Sequence, residues 1–179
     1  MAVLQKIREF FVSQEAFEPE TIVHPAAAPT TVYEIRPLTD KHLQEVLRLN
    51  LRCFVEGEHY TKHTFAYLLD EPNCLSYRVV TPQEAIVGFV FVITNDDGTG
   101  HITTIGVAPE HRRRGLANKL LNHAENALRK RGINTVRLEV RASNAAAQNL
   151  YRQRGYSTVQ KLENYYNNSE NGFLMVKSL

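Results

Sequence analysis

The stretch HITTIGVAPEHRRRGLANKLL, residues 101–121, sets three local patterns end to end. Its first seven residues, closing on Ile105, Gly106 and Val107, read as a strand rich in β-branched side chains. Pro109, three consecutive arginines (Arg112, Arg113, Arg114) and Gly115 then make a basic turn. From Leu116 onward Leu120, Leu121, Ala124 and Leu128 recur on one helical face. A strand that passes through a basic, glycine-containing turn into a helix builds an anion site. The first helical N–H groups have no internal partner and carry the positive end of the helix dipole. A glycine there lets a phosphate approach the backbone closely. Consecutive residues point in different directions, so the three guanidinium groups cannot all clamp one phosphate. One or two would meet peripheral phosphates while the third stays solvated. A solvated basic surface is the competing reading of the same residues.

Bulk charge separates these from a third reading, nucleic-acid binding. The 179 residues carry 21 basic and 19 acidic side chains, a net charge of +2. Chains that live on a nucleic-acid backbone show a larger, patch-like excess, so no nucleic-acid partner is expected. No run reaches the roughly eighteen apolar residues of a membrane helix, so no membrane partner is expected either. The opening residues mix charge into every turn, unlike a signal peptide. Cys53 and Cys74 form no C-x-x-C pair and no disulfide framework. A reduced, cytoplasmic setting follows as the expectation. His59 and His63 have helical ligand spacing but no third ligand nearby, so no metal is expected.

Outward from the central stretch the chain is regular from Tyr33. A strand near residues 32–38 precedes a helix capped by Thr39, with Leu43, Val46, Leu47 and Leu51 on one face. Thr61 opens a second helix, with Phe65, Leu68 and Leu69 inside and Pro72 as its stop. LSYRVV and AIVGFVFVIT are strands joined by TPQE, and NDDGTG is a hairpin signal before the strand of the central stretch. Arg129, Lys130 and Arg131 favour the C-terminal end of the next helix, which Gly132 closes. TVRLEV alternates, with Val136, Leu138 and Val140 on one side and Glu139 on the other. A helix from Ser143 or Asn144 to Gly155 and two final strands complete the order βααβββαβαββ, one α/β domain with a central mixed sheet flanked by helices. Residues 1–31 stand apart from this domain of residues 32–179. Val3, Leu4, Ile7, Phe10 and Phe11 share a helical face, and a Pro/Ala-rich tether follows. That leader either packs on the body or a partner, or is partly disordered.

IGVAPEHRRRGLANKLL together with LEVRASNAAAQNLYRQRGY resembles the GNAT superfamily of N-acetyltransferases. Arg112, Gly115 and Ala117 match its acyl-CoA signature Q/R-x-x-G-x-G/A, and Asn144, Ala147, Leu150 and Tyr151 match its second signature. Within it the second stretch most resembles the RimI type, which acetylates the N-terminal amine of a ribosomal protein. The likeness spans about Tyr33 to Leu179 and implies the GNAT fold, with acetyl-CoA as co-substrate and a protein or peptide N-terminus as acceptor. It also implies that the amides from Arg113 through Leu116 and Ala117 to Asn118 cradle the pyrophosphate. The strand edge at Ile105 and Val107, around Gly106, and Asn144 would hold the pantetheine arm. The ENYY segment resembles the tyrosine pair that borders the peptide site, so Tyr165 and Tyr166, with Tyr60, are the expected acceptor contacts. His59 and Tyr60 stand where the RimI type has Pro-Trp, and the segment after Tyr166 is shorter.

Acetyl transfer from a thioester needs a neutral amine to attack and a proton for the departing thiolate. An N-terminal amine, with a reference pKa near about 8, is already neutral in about a tenth of molecules at pH 7; lysine, near about 10.4, is neutral in well under about a thousandth. An enzyme for α-amines therefore needs only a modest base. By the resemblance Glu139 is that base, directly or through water, and Tyr151 the proton donor. On residue type alone Glu139 reads first as a sheet carboxylate paired with Arg137 or Arg141, and Tyr151 as a core-edge aromatic. An acetyltransferase for a small-molecule amine or a lysine, and a non-catalytic acyl-CoA-binding module, remain alternatives, and the oligomeric state is open.

Overall fold

The computed structural model of the protein describes residues 32–54 and 59–179. The leader helix and tether expected in residues 1–31 lie outside the described residues. The described elements are β1 (Glu34–Pro37), α1 (Leu43–Cys53), α2 (Lys62–Asp70), β2 (Cys74–Val80), β3 (Ile86–Thr94), β4 (Thr99–Val107), α3 (Leu116–Lys130), β5 (Thr135–Arg141), α4 (Ala145–Gln153), β6 (Ser157–Leu162) and β7 (Gly172–Ser178). Their order is the expected βααβββαβαββ. The seven strands form one mixed sheet in the order β1-β2-β3-β4-β5-β7-β6.

Local chemistry accounts for most boundaries. The Thr61 hydroxyl accepts the Thr64 N–H at 3.2 Å and caps α2. Asn144 Oδ1 accepts the Ala147 N–H at 3.0 Å and caps α4. In the NDDGTG turn the Asp97 carboxylate accepts both the amide (2.9 Å) and the hydroxyl (2.6 Å) of Thr99, which closes the β3–β4 hairpin. On α1 the buried residues are Val46, Leu49 and Asn50, whereas Leu51, expected inside, is 53% exposed. Leu51 lies five residues beyond Val46, about 140° round a helix of 3.6 residues per turn, and so faces away from the sheet.

The core forms where both sheet faces are covered. Six consecutive residues of β3, Val87–Val92, are buried, the pattern of a strand packed on both sides. Phe65 of α2 stacks on Phe89 and Phe91 with ring centroids 5.8 and 5.2 Å apart. The expected face of α3, from Leu116 to Leu128, is buried throughout. That helix also buries one carboxylate. Glu125 accepts Arg154 Nη2 at 2.6 Å, Lys177 Nζ at 2.7 Å and the Tyr156 hydroxyl at 3.2 Å. Two cations and a hydroxyl offset its loss of water and tie α3 to β7 and to the chain beyond α4.

One irregularity shapes everything that follows. β4 and β5 run parallel but pair only from Thr99↔Thr135 to His101↔Arg137. On its other side β4 keeps its ladder with β3 up to Val107, with a bulge that leaves Thr103 between the Phe91↔Thr104 and Val92↔Ile102 pairs. A bulge bends the strand and increases its twist. Beyond His101 the two strands separate, and β4 offers its β5-facing edge without a strand partner among the described residues.

Candidate active site

The gap between β4 and β5 opens into a cleft of about 460 Å3. Four consecutive residues of β4 (Ile102–Ile105) and four of β5 (Leu138–Arg141) line it. Alternate side chains of a strand point to opposite faces, so a groove on one face would be lined by every second residue only. The cleft therefore passes between the strands, from one face of the sheet to the other. Asn144, Ala147 and Tyr151 bring α4 to its wall, and Tyr60, Tyr165 and Tyr166 bring the segments before α2 and after β6.

The two residues expected to move protons both line this cleft. Tyr151 is 6% exposed, and burial pushes its phenol up to about 12, so it carries its proton throughout the neutral range. Glu139 pairs with neither Arg137 nor Arg141. Its Oε2 lies 2.6 Å from His101 Nε2, with the two side chains 19% and 24% exposed. His101 was not singled out in the sequence, because only the parallel register sets it beside β5. Among the described residues Arg137 makes no ion pair, and its buried Nε has no hydrogen-bond partner.

The expected acceptor tyrosines also converge. The Tyr60 hydroxyl donates to the carbonyl of the bulged Thr103 at 3.0 Å, and Asn50 Nδ2 donates to the Tyr60 carbonyl at 3.1 Å. Burial first, then the Glu139 charge, raise the Tyr60 pKa. Tyr165 and Tyr166 meet edge to face, centroids 5.1 Å apart, and burial raises both phenols. The Arg141 guanidinium lies 4.0 Å above the Tyr166 ring centre. Asn50 is a further residue of the wall; its signal was a polar side chain on the buried face of α1.

The arginine turn divides its labour. Gly115 sits at φ +74° immediately before α3, and a Cβ there would meet nothing within 4 Å. The first helical bond is Lys119 N–H to the Gly115 carbonyl at 3.0 Å, so the amides of Leu116, Ala117 and Asn118 precede the ladder. Arg113 also adopts a positive φ, 61°. Arg112 turns inward instead of toward a ligand, with Nε 3.2 Å from the Val107 carbonyl and Nη2 3.3 Å from that of Cys53. Arg114 donates to the Tyr33 hydroxyl at 2.9 Å. Among the described residues Arg113 alone of the three makes no side-chain hydrogen bond. These turn residues do not line the cleft itself, which they adjoin through β4. Gly106 is required by packing as well, since a Cβ there would lie 2.8 Å from the Phe89 ring. The Ala108 N–H bonds the Val87 carbonyl of β3, so by alternation the backbone groups of Val107 and Ile105 turn toward the gap.

A strand edge left free, a glycine turn with open amides, and a carboxylate and a tyrosine lining one cleft are the parts an acyl-transfer site would need. The acetyltransferase (GNAT) family model matches residues 43–156. The chain belongs to this family and is an acetyltransferase. It is 32% identical over 143 residues to the N-alpha-acetyltransferase daf-31 of Caenorhabditis elegans, covering 76% of this chain and 78% of that protein. It is 33% identical over 150 residues to the N-terminal acetyltransferase A complex catalytic subunit NAA10 of Arabidopsis thaliana, covering 81% and 77%. The crystal structure of the ribosomal-protein-S18-alanine N-acetyltransferase from Escherichia coli superposes with a TM-score of 0.75 at 27% identity, covering 82% of this chain and 94% of that one. Among the described residues no helix is long and apolar enough to cross a membrane, and no cluster of three His, Cys, Asp or Glu side chains is placed to hold a metal ion.

Proposed function

We propose that the protein transfers the acetyl group of acetyl-CoA to the N-terminal α-amine of a protein or peptide by direct attack on the thioester. One observation carries this reading. Glu139, held by His101, and Tyr151, kept protonated by burial, share a cleft that runs through the sheet. A proton acceptor and a proton donor thus border the same small volume. The names of the relatives and the tyrosine-lined wall both favour an α-amine over a small amine.

The residues fit the coenzyme. The open space above Gly115 and the free amides of Leu116, Ala117 and Asn118 suit a pyrophosphate, with the Arg113 side chain available for a peripheral phosphate. Arg112 and Arg114 brace the turn through their own hydrogen bonds. The backbone edge at Ile105 and Val107, and the amide group of Asn144 left over from capping α4, suit the pantetheine arm. Acetyl-CoA supplies the activated acyl group. Glu139 accepts a proton from the incoming ammonium, directly or through water, while His101 fixes its orientation. Tyr151 donates to the leaving sulfur. Tyr60, Tyr165 and Tyr166 border the acceptor's first residues. A ribosomal protein N-terminus belongs to the acceptor class, and a reduced cytoplasmic setting suits the free thiols of Cys53 and Cys74.

The test is free-thiol release from acetyl-CoA across N-terminal peptides (an alanine-first ribosomal one among them), lysine peptides and polyamines. Release is expected with the N-terminal peptides, with the added mass on the α-amine. Preference for lysine or a polyamine would overturn the acceptor class, and no release with any amine would overturn transfer itself.

A further inference from the structure

The wall formed by Tyr165 and Tyr166 has little core beneath it. It lies in the segment between β6 and β7, where Tyr165 is 51% exposed, and the five residues Ser157–Lys161 of the preceding strand are all exposed. Two backbone bonds fold the segment, from the Tyr166 N–H to the Glu170 carbonyl at 3.1 Å and from the Ser169 N–H to the Tyr166 carbonyl at 2.7 Å. One backbone bond, from the Ala142 N–H to the Asn171 carbonyl at 2.9 Å, ties its end to the chain before α4; its side-chain attachments there converge on one carboxylate. Glu170 accepts the Ser143 amide at 2.8 Å and pairs with the Arg141 guanidinium. Arg141 in turn covers the Tyr166 ring at 4.0 Å and reaches Asn168 Oδ1 at 3.3 Å. Ser143 directly precedes Asn144, the cap of α4 on the opposite wall of the cleft.

From this convergence we infer that Glu170 is a positioning residue for the acceptor, a latch that fixes the Tyr165–Tyr166 wall to the start of α4 through Arg141. The inference rests on the acceptor reading above. The Arg141 and Glu170 side chains are only 17% and 20% exposed, so their attraction is screened less than that of a surface pair. The Ser143 hydroxyl and amide, and then Arg141, hold the Glu170 carboxyl down at about 2. Glu170 therefore stays charged throughout the neutral pH range. Glu170 does not line the cleft and takes no proton in the reaction. Its influence passes through the ring that Arg141 holds.

Glu170→Gln keeps a carbonyl oxygen for the Ser143 amide but removes the ion pair. The expected result, measured with a peptide the parent acetylates, is an acceptor KM about tenfold higher. The kcat and the KM for acetyl-CoA should stay within about twofold of the parent, and the kcat–pH profile should remain parallel to it. A merely structural role would lower the active fraction, and so kcat, without moving KM. That outcome, or an unchanged acceptor KM, overturns the latch while leaving the acceptor reading intact. A parent that acetylates no N-terminal peptide overturns both. If the Gln variant does not fold, Glu170→Asp retains the charge but shortens the reach by one methylene. A raised acceptor KM there supports the latch, and a parental one overturns it.

Discussion

Gly115 gives the sharpest test of the coenzyme site, because its two roles separate in energy. In the free protein a Cβ at this position would meet nothing within 4 Å, so Gly115→Ala clashes with no neighbour. The variant's cost lies in the backbone, held at φ +74°, where an L side chain loses roughly 1–2 kcal/mol. In a domain of this size each kcal/mol moves Tm by about 2–4 °C, so the free variant should melt about 2–8 °C below the parent. For the β-branched Gly115→Val the same positive φ costs more, so alanine is the cleaner probe. The second role appears only with ligand. Acetyl-CoA at 100 times its Kd stabilises the native state by about 2.7 kcal/mol, a rise of about 5–11 °C. If the added methyl weakens binding tenfold, about 1.4 kcal/mol of that remains at the same concentration, and the rise roughly halves. Melting curves with and without acetyl-CoA measure both terms. A variant that melts lower but keeps the full parental rise would show that no phosphate lies against Gly115. A parent with no rise at millimolar acetyl-CoA would remove the coenzyme site altogether.

Glu139→Gln should lower turnover on N-terminal peptides by at least about a hundredfold at pH 7. The deficit should shrink up to about ninefold by pH 9, where an α-amine of pKa near about 8 has lost its proton unaided; a pH–rate profile parallel to the parent's would remove the base. Tyr151→Phe should lower turnover without that alkaline recovery, since a phenol at about 12 gives up its proton only to the leaving group, and recovery at pH 9 would contradict the donor role. Deleting residues 1–31 should leave the acetyl-CoA rise in Tm intact, as every proposed phosphate contact lies beyond residue 100; a deletion that abolishes folding would make the leader part of the core.

The element order was legible because its signals are local. Periodic leucines mark α3, alternation marks β5, and caps at Thr61 and Asn144 mark helix starts that the structure retains. The arginine turn was legible as a basic, glycine-containing turn at a helix start, but not the separate duties of its three side chains. Those depend on the Cys53 carbonyl and the Tyr33 hydroxyl, 59 and 81 residues away in sequence. The partner of Glu139 was not legible for the same reason. Arg137 and Arg141 are its neighbours along the strand, whereas His101 becomes its neighbour only through a parallel register 38 residues distant. The failure at Leu51 has another origin. Counting apolar residues gave α1 too wide a face, and the buried Asn50, needed to hold the Tyr60 carbonyl, displaced it.

The gap between β4 and β5 explains why one short sheet defect supports a two-substrate reaction. β5 does not lose its place when β4 departs, because it pairs with β7 along its full length, from Thr135↔Ser178 to Arg141↔Gly172. The sheet is thus opened without being divided, and the edges of the opening stay rigid. One edge offers the backbone of Ile102–Val107, which suits an arm that needs only main-chain hydrogen bonds. The other offers side chains of alternating direction, so Glu139 points to the face opposite the buried Leu138 and Val140 and meets His101 of β4 there. A donor held along β4 and an amine arriving past Tyr60, Tyr165 and Tyr166 can meet inside the sheet. Neither Cys53 nor Cys74 lines that opening, so no thiol of the chain is placed to carry the acetyl group between them. On the proposed reading the amine attacks the thioester directly, with Glu139 accepting one proton and Tyr151 returning one.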